Sequence, residues 1–275
     1  MKIRTIHAFY FSPTGNTEKV VKTIADTLAQ RLNLPVHVHN FTLPAARQDK
    51  CSFGNEDLVV IGTPVYAGRI PNKILPYYQN QLDGNQTPAI PVVTFGNRSY
   101  DDGLIELKTE LETHGFFAVA AAAMPTEHAF SARLATGRPD DHDLDVLRIF
   151  ATNVVQKVSA LDAVSTEPLA VDGQTPIRPY YTPLGTNGAP AVFLKAKPKT
   201  DMQRCTGCGL CARVCPMQAI SFEDVSMVPG ICIKCQACVH NCPTHAKYFD
   251  DDAFLSHVAM LEANYARRTE AIFFL

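Results

Sequence analysis

"IRTIHAFYFSPTGNTEKVV", residues 3–21, is the stretch whose reading decides the fold. Ile3–Phe11 is rich in β-branched and aromatic residues and reads as a strand. Val20, Ile24 and Leu28 then recur at helical spacing, predicting a helix from Thr17 to about Leu32. A strand running through a short polar turn straight into a helix opens a β–α unit. The pattern repeats in "PVHVHNF" (Pro35–Phe41), "DLVVIG" (Asp57–Gly62), "IPVVTFG" (Ile90–Gly96) and "GFFAVAAAAM" (Gly115–Met124). Helices are expected at Gly103–His114, with Leu104, Leu107 and Leu111 on one side, and after "RPDDHD", where Asp140 or Asp141 suits an N-cap. Five apolar strands alternating with helices predict an α/β fold, a doubly wound five-stranded parallel sheet covered on both faces. Ligands of such sheets bind beyond the carboxyl ends of the strands, which singles out the loops after the first, third and fourth.

The first of these loops places Ser12, Thr14, Gly15, Asn16 and Thr17 between strand and helix. Hydroxyls and backbone N–H groups at a helix N-terminus make an anion site, and Gly15 lets the backbone approach closely. The loop has no Lys and no G-x-x-x-x-G-K-S pattern, so nucleoside triphosphate hydrolysis is not indicated. The alternative is a simple capping turn. "GTPVYAGRIP" (Gly62–Pro71) and "TFGNRSYDD" (Thr94–Asp102) follow the next two strands, each with a Gly and a Tyr where a ring-shaped ligand would lie. Across about 1–160 the chain resembles the flavodoxins. That resemblance implies the strand order 2-1-3-4-5 and a bound FMN. By position, Ser12, Thr14, Gly15, Asn16 and Thr17 would hold its phosphate. Pro64, Val65, Tyr66, Ala67 and Gly68 would line one side of the ring, and Phe95, Gly96, Asn97 and Tyr100 the other. With no Trp in the chain, stacking falls to Tyr66, Tyr100 or a residue from further along.

Eight of the nine cysteines lie in "CTGCGLCARVCP" (Cys205–Pro216) and "CIKCQACVHNCP" (Cys232–Pro243). Each repeat reads C-x2-C-x2-C-x3-C-P. In this spacing the first three thiolates grip one cubane and the fourth reaches the neighbouring one. One [4Fe–4S] cluster is then expected on Cys205, Cys208, Cys211 and Cys242, the other on Cys232, Cys235, Cys238 and Cys215. The superposed repeats also match Ala219 to Ala246 and Phe222 to Phe249, as walls against water. A pair of structural zinc sites is the alternative, since C-x-x-C alone supports zinc. Here some fifty residues resemble the bacterial two-cluster ferredoxins, which implies a small α+β ferredoxin-like domain and low-potential one-electron transfer.

These readings divide the chain into 1–162, a proline-rich segment 163–200, a cluster domain 201–252 and a C-terminal helix and tail 253–275. Six prolines between Pro168 and Pro198 exclude a helix there, and "PYYTP" offers two tyrosines to bury, so a strap across the first domain is expected. An apolar fraction of 46% and a net charge of −2 fit a globular protein without the basic face that nucleic acid requires. No apolar run approaches a membrane span, and no signal-peptide core follows Lys2 and Arg4, so a cytoplasmic location is expected. Glu127, His128 and Ser131 follow the fifth strand and are candidates for a proton relay or substrate contact, against a role in capping and packing. Arg69 and Lys73 could attract an acidic partner or balance an anionic flavin, against a plain role as solvated surface charge. His37 and His39 alternate on an expected exposed face, and Cys51 has no evident partner.

Taken whole, the sequence resembles the flavodoxin–ferredoxin fusion proteins. The resemblance implies electron transfer between two [4Fe–4S] clusters and FMN, onward to a redox protein partner, with a homodimer conceivable. The competing expectation is a flavin-dependent reductase in which the clusters feed an FMN that acts on a small substrate near Glu127–Ser131.

Overall fold

The computed structural model describes residues 2–160 and 167–275. The expected junction at 162–163, and the strap's first residues, lie outside the described residues. In chain order the elements begin with β1 (Thr5–Tyr10), α1 (Asn16–Leu32), β2 (Val36–Asn40), a 3₁₀ turn (Pro44–Arg47), β3 (Cys51–Phe53) and β4 (Asp57–Pro64). They continue with α2 (Leu75–Gln81), β5 (Leu82–Gly84), β6 (Thr87–Phe95), α3 (Gly103–Thr113), β7 (Phe116–Ala118), β8 (Ala121–Pro125) and α4 (Asp141–Ala160). The second half holds β9 (Lys199–Thr200), α5 (Leu210–Arg213), α6 (Ala237–His240), β10 (Lys247–Tyr248), α7 (Asp252–Asn264) and β11 (Ile272–Phe274).

The parallel strands run β2-β1-β4-β6-β8, the 2-1-3-4-5 order. The sheet is larger than five strands, however. The predicted strand 115–124 breaks at Val119–Ala120 into β7 and β8, both paired with β6, and β11 adds an antiparallel edge on β8. In β11, Ile272 faces Ala123 and Phe274 faces Ala121, and the Phe273 ring stacks on Phe150 at 4.7 Å.

Alternation along each strand assigns the two cores. Ile6, Ala8 and Tyr10 with Leu58, Val60, Ile90 and Val92 pack under α1 and α4. Phe9, Val59, Ile61 and Val93 face the other way, beneath α2 and α3. Helix α1 turns Val20, Val21, Ile24, Ala25 and Leu28 inward and stops at Asn33, which is left-handed (φ 55°) and closes the last turn onto Ala29 O. Helix α4 begins with a reciprocal cap: the Asp140 carboxylate accepts the Asp143 N–H at 3.0 Å, and Asp143 accepts the Asp140 N–H at 3.0 Å.

The cysteine segment is a two-fold repeat offset by 27 residues, with α5 matching α6. Left-handed residues recur in register: Gly207 with Lys234, Gly209 with Gln236, and Gln218 with His245. The segment rests on the first domain through Arg47, which donates to Pro216 O at 2.5 Å, and His240 Nε2, 3.0 Å from Ala129 O. Met217 and Ile233 pack against the core beneath α2 and α3. Among the described residues no helix is long and apolar enough to cross a membrane.

Candidate functional site

At the carboxyl ends of β1, β4, β6 and β8 lies a cavity of about 540 Å3. That volume lies within the range of small-molecule sites, roughly 300–1,000 Å3. Thr14, Asn16 and Thr17 line it at the N-terminus of α1. The first N–H groups of a helix have no partner within it. Here the Glu18 N–H is taken by Ser12 Oγ at 2.9 Å, while Gly15 (φ 87°) turns the chain into the helix. The geometry suits an anion: N–H groups and the positive end of the helix dipole face the pocket with no carboxylate among these three lining side chains. Ser12 itself is buried and caps α1 rather than lining the cavity, and Gly15 does not line it either. Thr17 is held by Thr94, with hydroxyls 2.7 Å apart.

The second loop supplies Pro64, Val65, Tyr66, Ala67 and Gly68 to the wall. Its shape is fixed from beneath. The Glu106 carboxylate, almost wholly buried, accepts the Ile70 N–H at 2.9 Å and the Arg69 guanidinium, so Arg69 ties this loop to α3. Gly68 (φ 80°) has no room for a side chain, because a Cβ there would lie 2.3 Å from Asp101 Oδ2. Lys73 lines the cavity. The third loop contributes Phe95 and Gly96, whose open face is covered by the His128 ring; a Cβ on Gly96 would fall 2.1 Å from its Cδ2.

Asn97 and Tyr100 depart from expectation. The Asn97 carboxamide donates to Tyr265 O and Arg267 O at 2.5 and 2.7 Å and accepts the Thr269 N–H, so it ties down the C-terminal tail. The Tyr100 hydroxyl donates to Asp172 at 2.9 Å and holds the proline-rich segment. Neither lines the cavity. In their place residues 167–200 deliver Tyr180 and Tyr181. The Tyr181 N–H donates to Ala67 O and the Tyr180 hydroxyl to Ile70 O, both at 2.8 Å, and Arg98 lies 4.1 Å over the Tyr181 ring. Asp102 anchors the segment by accepting from the Gln174 and Arg178 backbones, and Arg178 holds its carboxyl down at about 2.

Of the three candidates after the fifth strand, Glu127 and His128 border the cavity and Ser131 does not. The Glu127 carboxylate is occupied by the Gly137 N–H (2.6 Å), and Ser131 donates to Glu262 (2.6 Å), so the three do not form one relay. His128 Nδ1 accepts the Phe130 N–H at 3.0 Å, which leaves the neutral ring's proton on Nε2. Burial, with repulsion from His257 and Arg98, pushes its pKa down to about 4. His257, from α7, donates through Nδ1 to Leu184 O at 2.8 Å. Sequence reasoning missed His257 and Leu261 of α7 as cavity residues, since nothing in an amphipathic helix says which site it will cover. His39 is likewise not simply exposed, its Nε2 lying 3.0 Å from His7 Nδ1, and Cys51 Sγ sits 3.8 Å from the Tyr77 hydroxyl.

The far wall of this cavity is the second cysteine loop: Ile231, Cys232, Ile233 and Lys234 line it. Burial raises the Tyr66 pKa well above a phenol's usual value, and the nearby Cys235 and Cys232 thiols add to the shift. Behind it, one small enclosed space has Cys215, Cys232, Cys235 and Cys238 in its lining. Cys215 therefore sits with the second repeat. Burial also raises the thiol pKa of Cys235 and pushes Cys238 up to about 12, so bare thiolates there are disfavoured without a cation. Backbone N–H groups point at sulfur in matched pairs. Gly207 donates to Cys205 and Lys234 to Cys232, and Ala219 donates to Cys215 and Ala246 to Cys242, at 3.2–3.5 Å. The donor set, the N–H···S bonds and the apolar walls Ile220 and Val228 fit an iron–sulfur cluster.

A family model described as a flavodoxin domain matches residues 8–112, and one described as a 4Fe-4S dicluster domain matches 204–246. Among solved structures, a flavodoxin from the domain Archaea is 13% identical, covers 57% of this chain and 99% of its own, and has a TM-score of 0.38. A flavodoxin of Streptococcus pneumonia TIGR4 is 20% identical over 56% of this chain and 99% of its own, with a TM-score of 0.39. Oxidised Flavodoxin 2 from Bacillus cereus is 15% identical over 57% and 99%, with a TM-score of 0.42. No curated protein matches the chain.

Proposed function

The chain joins a flavodoxin domain to a 4Fe-4S dicluster domain, and from that premise we propose that it carries electrons between two [4Fe–4S] clusters and one bound FMN. The observation that carries the proposal is the shared wall. Cys232 lines both the large cavity, where Thr14, Asn16 and Thr17 would hold the phosphate, and the small one that holds Cys215, Cys235 and Cys238. A flavin takes electrons singly or in pairs while each iron–sulfur centre moves one at a time, so the pairing joins one- and two-electron partners. The protein's part is placement. Tyr66, Tyr180 and Tyr181 offer apolar faces to the ring, Gly96 and His128 close its other side, and Lys73, Arg98 and Lys234 supply positive charge against an anionic ligand. His128 stays neutral near pH 7, with its Nε2–H as the free donor.

A second reading, a flavin-dependent reductase of a small molecule, is favoured by one observation: His128 and His257 line the same cavity. The carrier reading is preferred because Glu127 and Ser131 are committed elsewhere and the cysteine loop, not open space, faces the ring site. The test is anaerobic purification followed by iron, sulfide and flavin quantification. About eight irons and one FMN per chain are expected. Dithionite should reduce the clusters, and flavin bleaching should follow within the same molecule. An iron-free, flavin-free chain after reconstitution overturns the proposal.

A further inference from the structure

Gln236 Nε2 is the one buried side-chain nitrogen or oxygen without a hydrogen-bond partner among the described residues. A buried amide pays a desolvation cost unless something accepts its N–H, so an orphan of this kind calls for an explanation. The residue is 5% exposed and lines the small cavity that also holds Cys215, Cys232, Cys235 and Cys238. Its backbone is left-handed (φ 63°), a conformation that favours glycine, and the matching residue of the other repeat is indeed Gly209 (φ 69°). A strained, buried, unpaired glutamine therefore replaces a glycine at one site only.

We infer that the Gln236 carboxamide donates a hydrogen bond into the flavin-side cluster and raises that cluster's reduction potential relative to the same sulfur set without it. The inference rests on the two-cluster reading above. Reduction adds one negative charge to a cluster. A fixed N–H donor stabilises the more negative state more, which shifts the potential upward. The backbone donors cannot distinguish the two sites, because they come in matched pairs: Gly207 with Lys234, and Ala219 with Ala246. Two side-chain donors are unmatched: the Gln236 amide at the flavin-side site and the Thr244 hydroxyl, 3.8 Å from Cys242 Sγ, at the outer one. Of these the Gln236 amide is the one without any partner among the described residues. It also opposes burial: Cys235 and Cys238 lie deeper than the exposed Cys208, and loss of water lowers the potential of a buried cluster. Gln236 thus offsets part of the potential that burial takes from the flavin-side member of the pair.

The test is EPR-monitored redox potentiometry on the anaerobically purified full chain, with iron and sulfide assayed in parallel. Gln236→Met keeps the size and removes the donor; Gln236→Gly installs the first repeat's residue and suits the backbone. Either variant that retains full iron should show one cluster potential shifted downward and the other unmoved. Part of the deuterium sensitivity of the Fe–S vibrations in resonance Raman should be lost with it. Gly209→Gln, the reciprocal change, should move the other potential upward. Full iron with neither potential changed in either Gln236 variant, or both moved equally, overturns the inference and leaves the proposed function standing. A chain that binds no iron overturns both.

Discussion

Asp143 offers the sharpest test of how the first domain holds its cavity. Its carboxylate accepts from Arg138 Nε at 2.8 Å and Nη2 at 2.6 Å, from the Asp140 N–H at 3.0 Å and from Arg268 Nη2 at 2.8 Å. The Arg138 and Asp143 side chains are only 4% and 2% exposed. Asp143→Ala leaves the Arg138 guanidinium buried with Thr269 O as its remaining acceptor. Breaking a buried pair from one side costs about 3–5 kcal/mol, and the lost cap of α4 adds roughly 1. The total, about 4–6 kcal/mol, is a large share of a domain's stability of roughly 5–15 kcal/mol. The double variant Arg138→Met/Asp143→Leu removes both charges and should recover most of that loss, because no uncompensated charge remains. Urea unfolding of the flavin-loaded protein measures both. The effect should reach the cavity, since Arg138 O accepts the Glu127 N–H at the base of the His128 loop. Flavin affinity is expected to fall in the single variant and to return in the double. A loss under about 1 kcal/mol for Asp143→Ala, or a double variant as unstable as the single, refutes the reasoning.

Other outcomes follow from the same structure. Cys215→Ala should empty the flavin-side site and leave the other, so that about half the iron and one of two EPR signals remain; loss of the outer signal instead would disprove the crossed ligation. Gly96→Ala should push the His128 ring aside at a cost of about 1–3 kcal/mol and weaken flavin binding about tenfold or more by fluorescence titration, an effect absent if the ring does not border the flavin. His128 is held neutral in the fold down to about pH 4, whereas the unfolded chain takes up a proton near 6.5. Stability should therefore drop as pH falls through this window. The ring is enclosed yet borders a cavity that water can enter, so the loss between pH 7 and 5 is put at about 1–2 kcal/mol. His128→Gln should lack that slope, and an equal slope in both proteins would locate it elsewhere.

The sequence made the β1–α1 turn, the alternation of apolar strands with helices and the cysteine repeat legible, because each is a local pattern of alternation, helical spacing or fixed ligand spacing. The strand order came only with the resemblance to the flavodoxins. It did not reveal that "GFFAVAAAAM" breaks at Val119–Ala120, since an unbroken apolar run carries no mark of where pairing lapses. Helix α2, "LPYYQNQ", buries Tyr77 and Tyr78 on too few residues to show a period. The ring-facing loops were read from Pro64–Gly68, Phe95 and Gly96, and these do line the cavity. Asn97 and Tyr100 have the same chemistry as their neighbours, but contacts to residues 172 and 265–269 claim their side chains. Such long-range partners leave no trace in local spacing. For the same reason the walls supplied by Tyr180, Tyr181, Lys234 and His257 could be located only in the folded chain.

Strand β11 has a consequence for how the chain is made. The edge of β8 is covered by residues 272–274, which leave the ribosome after the entire cysteine repeat. Until then the first domain carries an open, alanine-rich strand edge, the kind of surface that invites pairing with other chains. The sheet's last edge is therefore closed only after the cluster-binding segment has been synthesised, so a chain truncated before Ile272 leaves the β8 edge uncovered.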